Sequence, residues 1–229
     1  MRFYENNYDG FDQYLASDEC GRGPLAGPVV ACSVGLSKKD LIEVLNYLQV
    51  IGIKDSKRLS EKKIGKIINQ LNLPTKLPSN ISHKKNFKSG SLTISLSLKC
   101  NTYIDEKNIL FASLEAMKIS GFEVLQKLDK SKNSCWFFDG PYVPKLSQIR
   151  QRNIETIPVV KGDSKSLLIG TASVIAKYYR DEIMRENDSI YPGYGFKKNK
   201  GYPTKDHLNA IRELGYTPIH RKTFRGVIE

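Results

Sequence analysis

Four carboxylates at three places along the chain have the residue types and positions to do chemistry. Asp18 and Glu19 stand side by side in ASDECGRGPLAGPVVAC, residues 16–32. Asp139 follows the apolar run SCWFF, and Asp163 follows IETIPVV by way of Lys161 and Gly162. In mixed α/β sheets, sites form outside the strand ends. Three such ends would gather four acids inside a chain of formal net charge +12. Without cations that cluster would repel itself and take up protons. Hard divalent ions relieve the repulsion, and Mg2+ is held by a few carboxylates together with water and substrate phosphate. Two-metal phosphodiester cleavage then joins the acidic centre to the basic surface, with ions roughly 3.5–4 Å apart, one generating hydroxide and the other steadying the leaving oxygen. Plainer alternatives stay open on spacing alone: a turn at Asp139-Gly140, a helix cap at Asp163, an exposed acidic pair at Asp18-Glu19. Neighbours in a regular strand face opposite sides, so Asp18 and Glu19 share an ion only if the backbone bends, and Gly21 and Gly23 could supply that bend.

The elements that must position these groups can be read from periodicity. Residues 27–36, GPVVACSVGL, have the β-branched density of a buried strand, and residues 92–98, LTISLSL, alternate like a half-buried one. Residues 134–138 and 154–160 read as two more strands, with Asp18 and Glu19 at a further strand-like position. Helices are expected at 39–50, at 60–71 and over 105–129, with Gly121 a break in the last. The clearest helix starts after Asp163-Ser164, either of which would cap it, and runs through SLLIGTASVIAKYYRDEIMRE. A final helix covers 204–214, with Thr204 as cap and Gly215 at its end. Residues 72–90 hold Pro74, Pro78, four lysines and no acid, and read as a mobile basic loop. The order implies a mixed sheet with helices on its faces.

Composition bounds the rest. A chain of 229 residues buries one substantial core, so a single domain over 1–229 is expected. The stretch 24–36 is too short to span a bilayer and the opening MRFYENNYDGF lacks a signal-peptide pattern, so a soluble, cytoplasmic protein with no membrane partner is expected. Cys20, Cys32, Cys100 and Cys135 form no CxxC pair, which suits reduced thiols. The 36 Lys and Arg against 24 acids favour a polyanionic partner. Between residues 197 and 225 eight Lys or Arg interleave with Tyr194, Phe196, Tyr202, Tyr216 and Phe224 nearby, a mixture that suits a nucleic-acid groove.

DECGRGPLAGPVVAC resembles the opening signature of the ribonuclease HII family. IKDSKRLSEKK at 53–63, FFDG at 137–140, KGDSKSLLIGTASVIAKYYRDEIM at 161–184 and the long block at 191–224 resemble the family's later blocks in the same order. The resemblance implies a ribonuclease H-like mixed sheet flanked by helices with a C-terminal helical segment, residues about 190–229 contributing to substrate binding. It implies an endoribonuclease that cuts the RNA strand of RNA/DNA hybrids, and 5′ of a lone ribonucleotide in duplex DNA, with two Mg2+ or Mn2+ ions, in replication and repair. Asp18, Glu19, Asp139 and Asp163 match the metal ligands. Gly21, Arg22 and Gly23 match the segment that grips the ribonucleotide at its 2′-hydroxyl, the group that separates RNA from DNA. Tyr202 matches the tyrosine that packs on the following sugar, and Lys57, Ser164 and Lys165 are placed to touch backbone phosphate. His220 reads as a structural histidine. Cys20 and the IGTAS stretch depart from the family's usual small residues. No clamp-binding box ends the sequence, and a monomer is expected. The rivals are a catalytically silent nucleic-acid binder and another nuclease on the same fold.

Overall fold

The computed structural model describes residues 3–53, 59–75, 84–89, 91–146 and 153–227. Lys57 lies outside them. Six strands among these residues form one sheet: β1 (Gln13–Cys20), β2 (Val29–Ser37), β3 (Lys84–Ser89), β4 (Leu92–Lys99), β5 (Ser134–Asp139) and β6 (Ile154–Val159), in the order β3-β4-β2-β1-β5-β6. β1 runs antiparallel to β2 and parallel to β5, so the strand that carries Asp18 and Glu19 joins an antiparallel half to a parallel one. The mixed sheet matches the sequence expectation.

Side-chain parity sorts the strands onto two layers. Tyr14, Ala16, Cys32, Val34, Cys135 and Phe137 face a large core built with α1 (Leu41–Val50), α2 (Glu61–Gln70) and α6 (Leu167–Ile190). Leu15, Ala31, Trp136 and Phe138 face a smaller core under α4 (Ile109–Leu125). The second face also buries hydroxyls, which satisfy one another: Ser17 and Ser33 lie 2.6 Å apart, Ser33 and Ser120 2.7 Å, and the Trp136 indole donates to Ser17 at 2.7 Å.

Three local expectations are corrected. The segment 72–90 is not strandless: residues 84–89 pair antiparallel with β4 as the sheet's edge. KKNFKS offers little apolar alternation, and an edge strand held by its backbone ladder needs little. Residues 76–83 and 90 of that segment lie outside the described residues. Gly121 does not break its helix, because the missing Cβ is what seats α4 on the sheet; a Cβ there would stand 1.7 Å from Trp136 Cζ2. The break falls at Asn108, φ 69°, between α3 (Asn101–Lys107) and α4, where the Asn108 side chain accepts the Phe111 amide at 2.9 Å. The long helix α6 is capped by neither Asp163 nor Ser164. These sit in a separate turn, α5 (Gly162–Lys165), and Ser166 Oγ accepts the Ile169 amide at 3.1 Å instead. Glu5, fully buried in a short 3-10 turn, accepts the Ser166 hydroxyl at 2.7 Å and so aims its lone pair at the helix.

The C-terminal part carries α7 (Phe196–Asn199) and α8 (Lys205–Leu214), with Thr204 capping α8 at its His207 amide and Gly215 ending it at φ 78°, as the sequence predicts. It packs on Leu25, Ala26 and Met184. Among the described residues no helix is long and apolar enough to cross a membrane.

Candidate active site

Sheet register brings Asp18 and Asp139 together. The parallel pairing of β1 with β5 runs through Ala16 opposite Phe137 and Ser17 opposite Phe138, so the next rung sets Asp18 beside Asp139. Both belong to the parity that faces α6. Glu19 has the opposite parity, but it stands at the strand end, where Gly21 turns the chain at φ 101°. All three acids line one cavity of about 340 Å³, whose other wall is Gly21, Arg22, Gly23 and Tyr202. A larger hollow of about 410 Å³ lies between α1, α2 and the edge of β4, and Glu43 is its one acid. Chemistry therefore favours the smaller one.

The carboxylates are under electrostatic stress. Burial, then the charges of Glu19 and Asp139, push Asp18 well above the usual carboxylate range, against a hydrogen bond from Ser173 on α6. Burial raises Glu19 to about 7, with Asp139 adding to the rise and Arg22, 3.5 Å away, opposing it. Glu19 Oε2 is buried and has no hydrogen-bond partner. Asp139 Oδ1 accepts the Gly162 amide at 2.6 Å.

The wall at Gly21–Gly23 is held from behind by two fully buried arginines. Arg221 donates to the carbonyls of Gly21 (2.6 Å), Arg22 (2.9 Å) and Gly27 (3.0 Å). Arg180 donates to those of Pro28 (3.1 Å), Lys200 (3.0 Å) and Ala26 (3.2 Å). In a trans peptide the C=O and the next N–H point opposite ways. With the Gly21 and Arg22 carbonyls turned inward, the amides of Arg22 and Gly23 are turned outward. Gly21 is required here twice over, since its φ is positive and a Cβ would meet Arg180 Nε at 2.1 Å. A Cβ on Gly23 would touch the Tyr202 ring at 3.5 Å, so ring and loop form one surface.

Asp163 is not part of the cavity wall. It is buried on α5, next to the Gly162 whose amide holds Asp139. Ser164 and Lys165 are exposed on the same turn. Residues that sequence reasoning passed over line the cavity as well: Ser173, Lys177 and Asp181 at successive turns of α6, and Lys200. Lys177 pairs with Asp181 at 2.7 Å. Their i, i+4, i+8 spacing was the available signal.

Among the described residues no three of His, Cys, Asp and Glu are close enough to hold one ion by themselves. Mg2+ does not need that, because one or two carboxylates with water and substrate phosphate complete its shell. Three hard oxygen donors around one cavity, one with an orphaned oxygen and two with raised proton affinity, fit such an ion.

Comparison with known proteins gives a family and a fold. The profile of the family described as Ribonuclease HII matches residues 15–227. A Ribonuclease HII of Caldanaerobacter subterraneus subsp. tengcongensis is 38% identical over 226 residues, covering 98% of this chain and 79% of that protein. Among solved structures, the ribonuclease H2 from Pyrococcus horikoshii OT3 is similar with TM-score 0.65 and 22% identity, over 94% of this chain and 95% of that one. Bst-RNase HIII in complex with Mn2+ is similar with TM-score 0.64 and 15% identity, over 94% of this chain and 68% of that one.

Proposed function

The chain belongs to the ribonuclease HII family, a family of hydrolases acting on RNA/DNA hybrids, and from that premise we propose that it also cuts 5′ of a single ribonucleotide embedded in duplex DNA, using two divalent ions. The observation that supports this most is the placing of Asp18, Glu19 and Asp139 across one cavity from the Gly21–Gly23 loop and Tyr202. Acids at a phosphate-binding surface would only hinder a silent binder, and outward amides beside an aromatic ring have a use where there is a ribose to read.

Asp18, Glu19 and Asp139 would hold the ions, with Asp163, next to the turn that orients Asp139, as the fourth ligand once substrate is bound. Bound Mg2+ or Mn2+ supplies a hydroxide nucleophile at neutral pH and stabilises charge on the leaving oxygen. Ser173 orients Asp18, and the Gly162 amide orients Asp139. The outward Arg22 and Gly23 amides bind the 2′-hydroxyl and the adjacent phosphate, and Tyr202 packs on the next sugar. Lys177 and Lys200 add positive charge beside the cavity. Ser164 and Lys165 meet the backbone phosphates, a role the sequence also assigns to Lys57. Residues 190–229 act in substrate binding within a single catalytic domain. Cleavage leaves 3′-hydroxyl and 5′-phosphate ends.

The test is incubation with Mg2+ and a duplex containing one ribonucleotide, beside an all-DNA duplex of the same sequence. The first should be cut and the second left whole. Cutting of both would mark a general nuclease, and of neither a silent binder.

A further inference from the structure

Behind Tyr202 lies a pair of histidines that the chemistry above does not use. The chain has three histidines. His207 on α8 and His220 are both fully buried, with their Nε2 atoms 3.0 Å apart. Their partners fix where the protons sit. The Thr217 amide donates to His220 Nδ1 at 2.8 Å, so that nitrogen keeps its lone pair and His220 carries its proton on Nε2. That proton points at His207 Nε2, which must accept it. His207 therefore carries its own proton on Nδ1 and donates to the Tyr202 carbonyl at 2.9 Å. One tautomer pattern satisfies all four ring nitrogens. Burial lowers the proton affinity of both rings, that of His220 to about 4 with His207 as the second cause, so the pair is neutral at pH 7.

Each end of this relay is anchored in the wall that faces the carboxylates. One end is the peptide that carries the Tyr202 ring. At the other, His220 bridges Ala26, and the next residue, Arg221, grips Gly21 and Arg22. Packing alone would not call for two imidazoles here. Tyr194 and Phe196 already surround them, and apolar side chains would fill the space without burying four polar nitrogens.

We propose that His207 and His220 are positioning residues that lock Tyr202 against Gly23, and that this lock sets the preference for a lone ribonucleotide in DNA over a continuous hybrid. The inference rests on the ribose-reading role given above. It is tested by steady-state kinetics of His207→Leu and His207→Asn on both substrates, with imidazole 15N spectra of the unmodified protein. Leu removes the imidazole donor to the Tyr202 carbonyl and leaves the Thr204 amide, at 2.8 Å, as its remaining donor; Asn places an amide N–H close to the position of Nδ1. His207→Leu should raise KM for the lone-ribonucleotide duplex on the order of tenfold, the worth of one buried hydrogen bond, and KM for the hybrid by less than about threefold. His207→Asn should recover most of the difference. The spectra should show His207 protonated on Nδ1 and His220 on Nε2, which keeps the question decidable if the Leu variant does not fold. Equal losses on both substrates, no recovery with Asn, or a His207 protonated on Nε2 overturns the proposal. An unmodified protein that discriminates beside variants that discriminate equally well overturns it alone; an unmodified protein that cuts neither substrate overturns the proposed function and this inference with it.

Discussion

Replacing Arg221 by lysine tests whether the loop at Gly21–Gly23 is held from behind. Arg221 is fully buried and spends its guanidinium on three backbone carbonyls. An ammonium at the end of a lysine can meet one of them in that space, so two charge-assisted bonds are lost, at about 1.5–3 kcal/mol each. Two effects offset part of this. The Arg22 carbonyl belongs to an exposed residue and can turn to water. Burial, and then the neighbouring Arg180, also lower Arg221 to about 9, so the cation is itself disfavoured where it stands. The net expected loss is about 3 kcal/mol, which at about 2–4 °C per kcal/mol lowers Tm by roughly 6–12 °C. Urea unfolding should show a lower midpoint at an unchanged slope. A domain of ordinary stability remains folded at 25 °C after that loss, so cleavage can be assayed. There kcat/KM on a lone-ribonucleotide duplex should fall more than about tenfold, chiefly through KM, because the outward amides lose their fixed direction. A stability change under about 0.5 kcal/mol together with undiminished cleavage would refute the clamp.

Other expectations are as direct. Asp139→Asn should abolish cleavage while leaving duplex binding nearly intact, measured by anisotropy with Mg2+ present; normal turnover would take Asp139 out of the metal site. Tyr202→Ala should reduce activity most on a lone ribonucleotide and less on continuous hybrid, and equal losses would count against its role at the junction. Because Glu19 titrates near 7 in the folded chain and near 4.5 when unfolded, the metal-free protein gains stability as pH falls from about 7 toward 4.5. Mn2+ or Mg2+ competes with that proton, so the rise in Tm on adding metal should be large at pH 8 and shrink below pH 6; a rise independent of pH would contradict the stressed cluster. Gly121→Ala sets a Cβ into the Trp136 indole. Overpacking of about 1–3 kcal/mol then outweighs a helix-propensity gain of about 1 kcal/mol, and a stabilised variant would show that α4 is not seated on that ring.

Much of this arrangement is written plainly in the chain, and the reasons for the gaps are physical. Asp139 closes an apolar strand, and the shared parity of Asp18 and Asp139 follows once β1 and β5 are neighbours, so their meeting was within reach of strand-end reasoning. Glu19 was harder, because its parity is wrong until Gly21 turns the chain. Asp163 and Ser164 read as caps where Ser166 serves, because GDSKS offers three capping side chains within four residues, and which one serves depends on Glu5, distant in sequence. Arg180 and Arg221 were passed over, since arginines are nearly always solvated and their six carbonyl partners exist only in the folded chain. Asn108 breaks its helix at φ 69° and ψ 162°, a conformation costly for any side chain that its bond to the Phe111 amide helps to hold, while the more conspicuous Gly121 is there for close packing.

The Arg221–Gly21 bond joins positions 200 residues apart. A ribosome translating this message makes the acidic strand ends of β1 and β5 first, yet the Gly21–Gly23 loop lacks its Arg221 bonds until position 221 has left the ribosome. Unfinished polypeptides, whether stalled or cut short, would thus hold the acids with the facing loop unclamped. The order of synthesis would delay a competent nuclease until position 221 has been made.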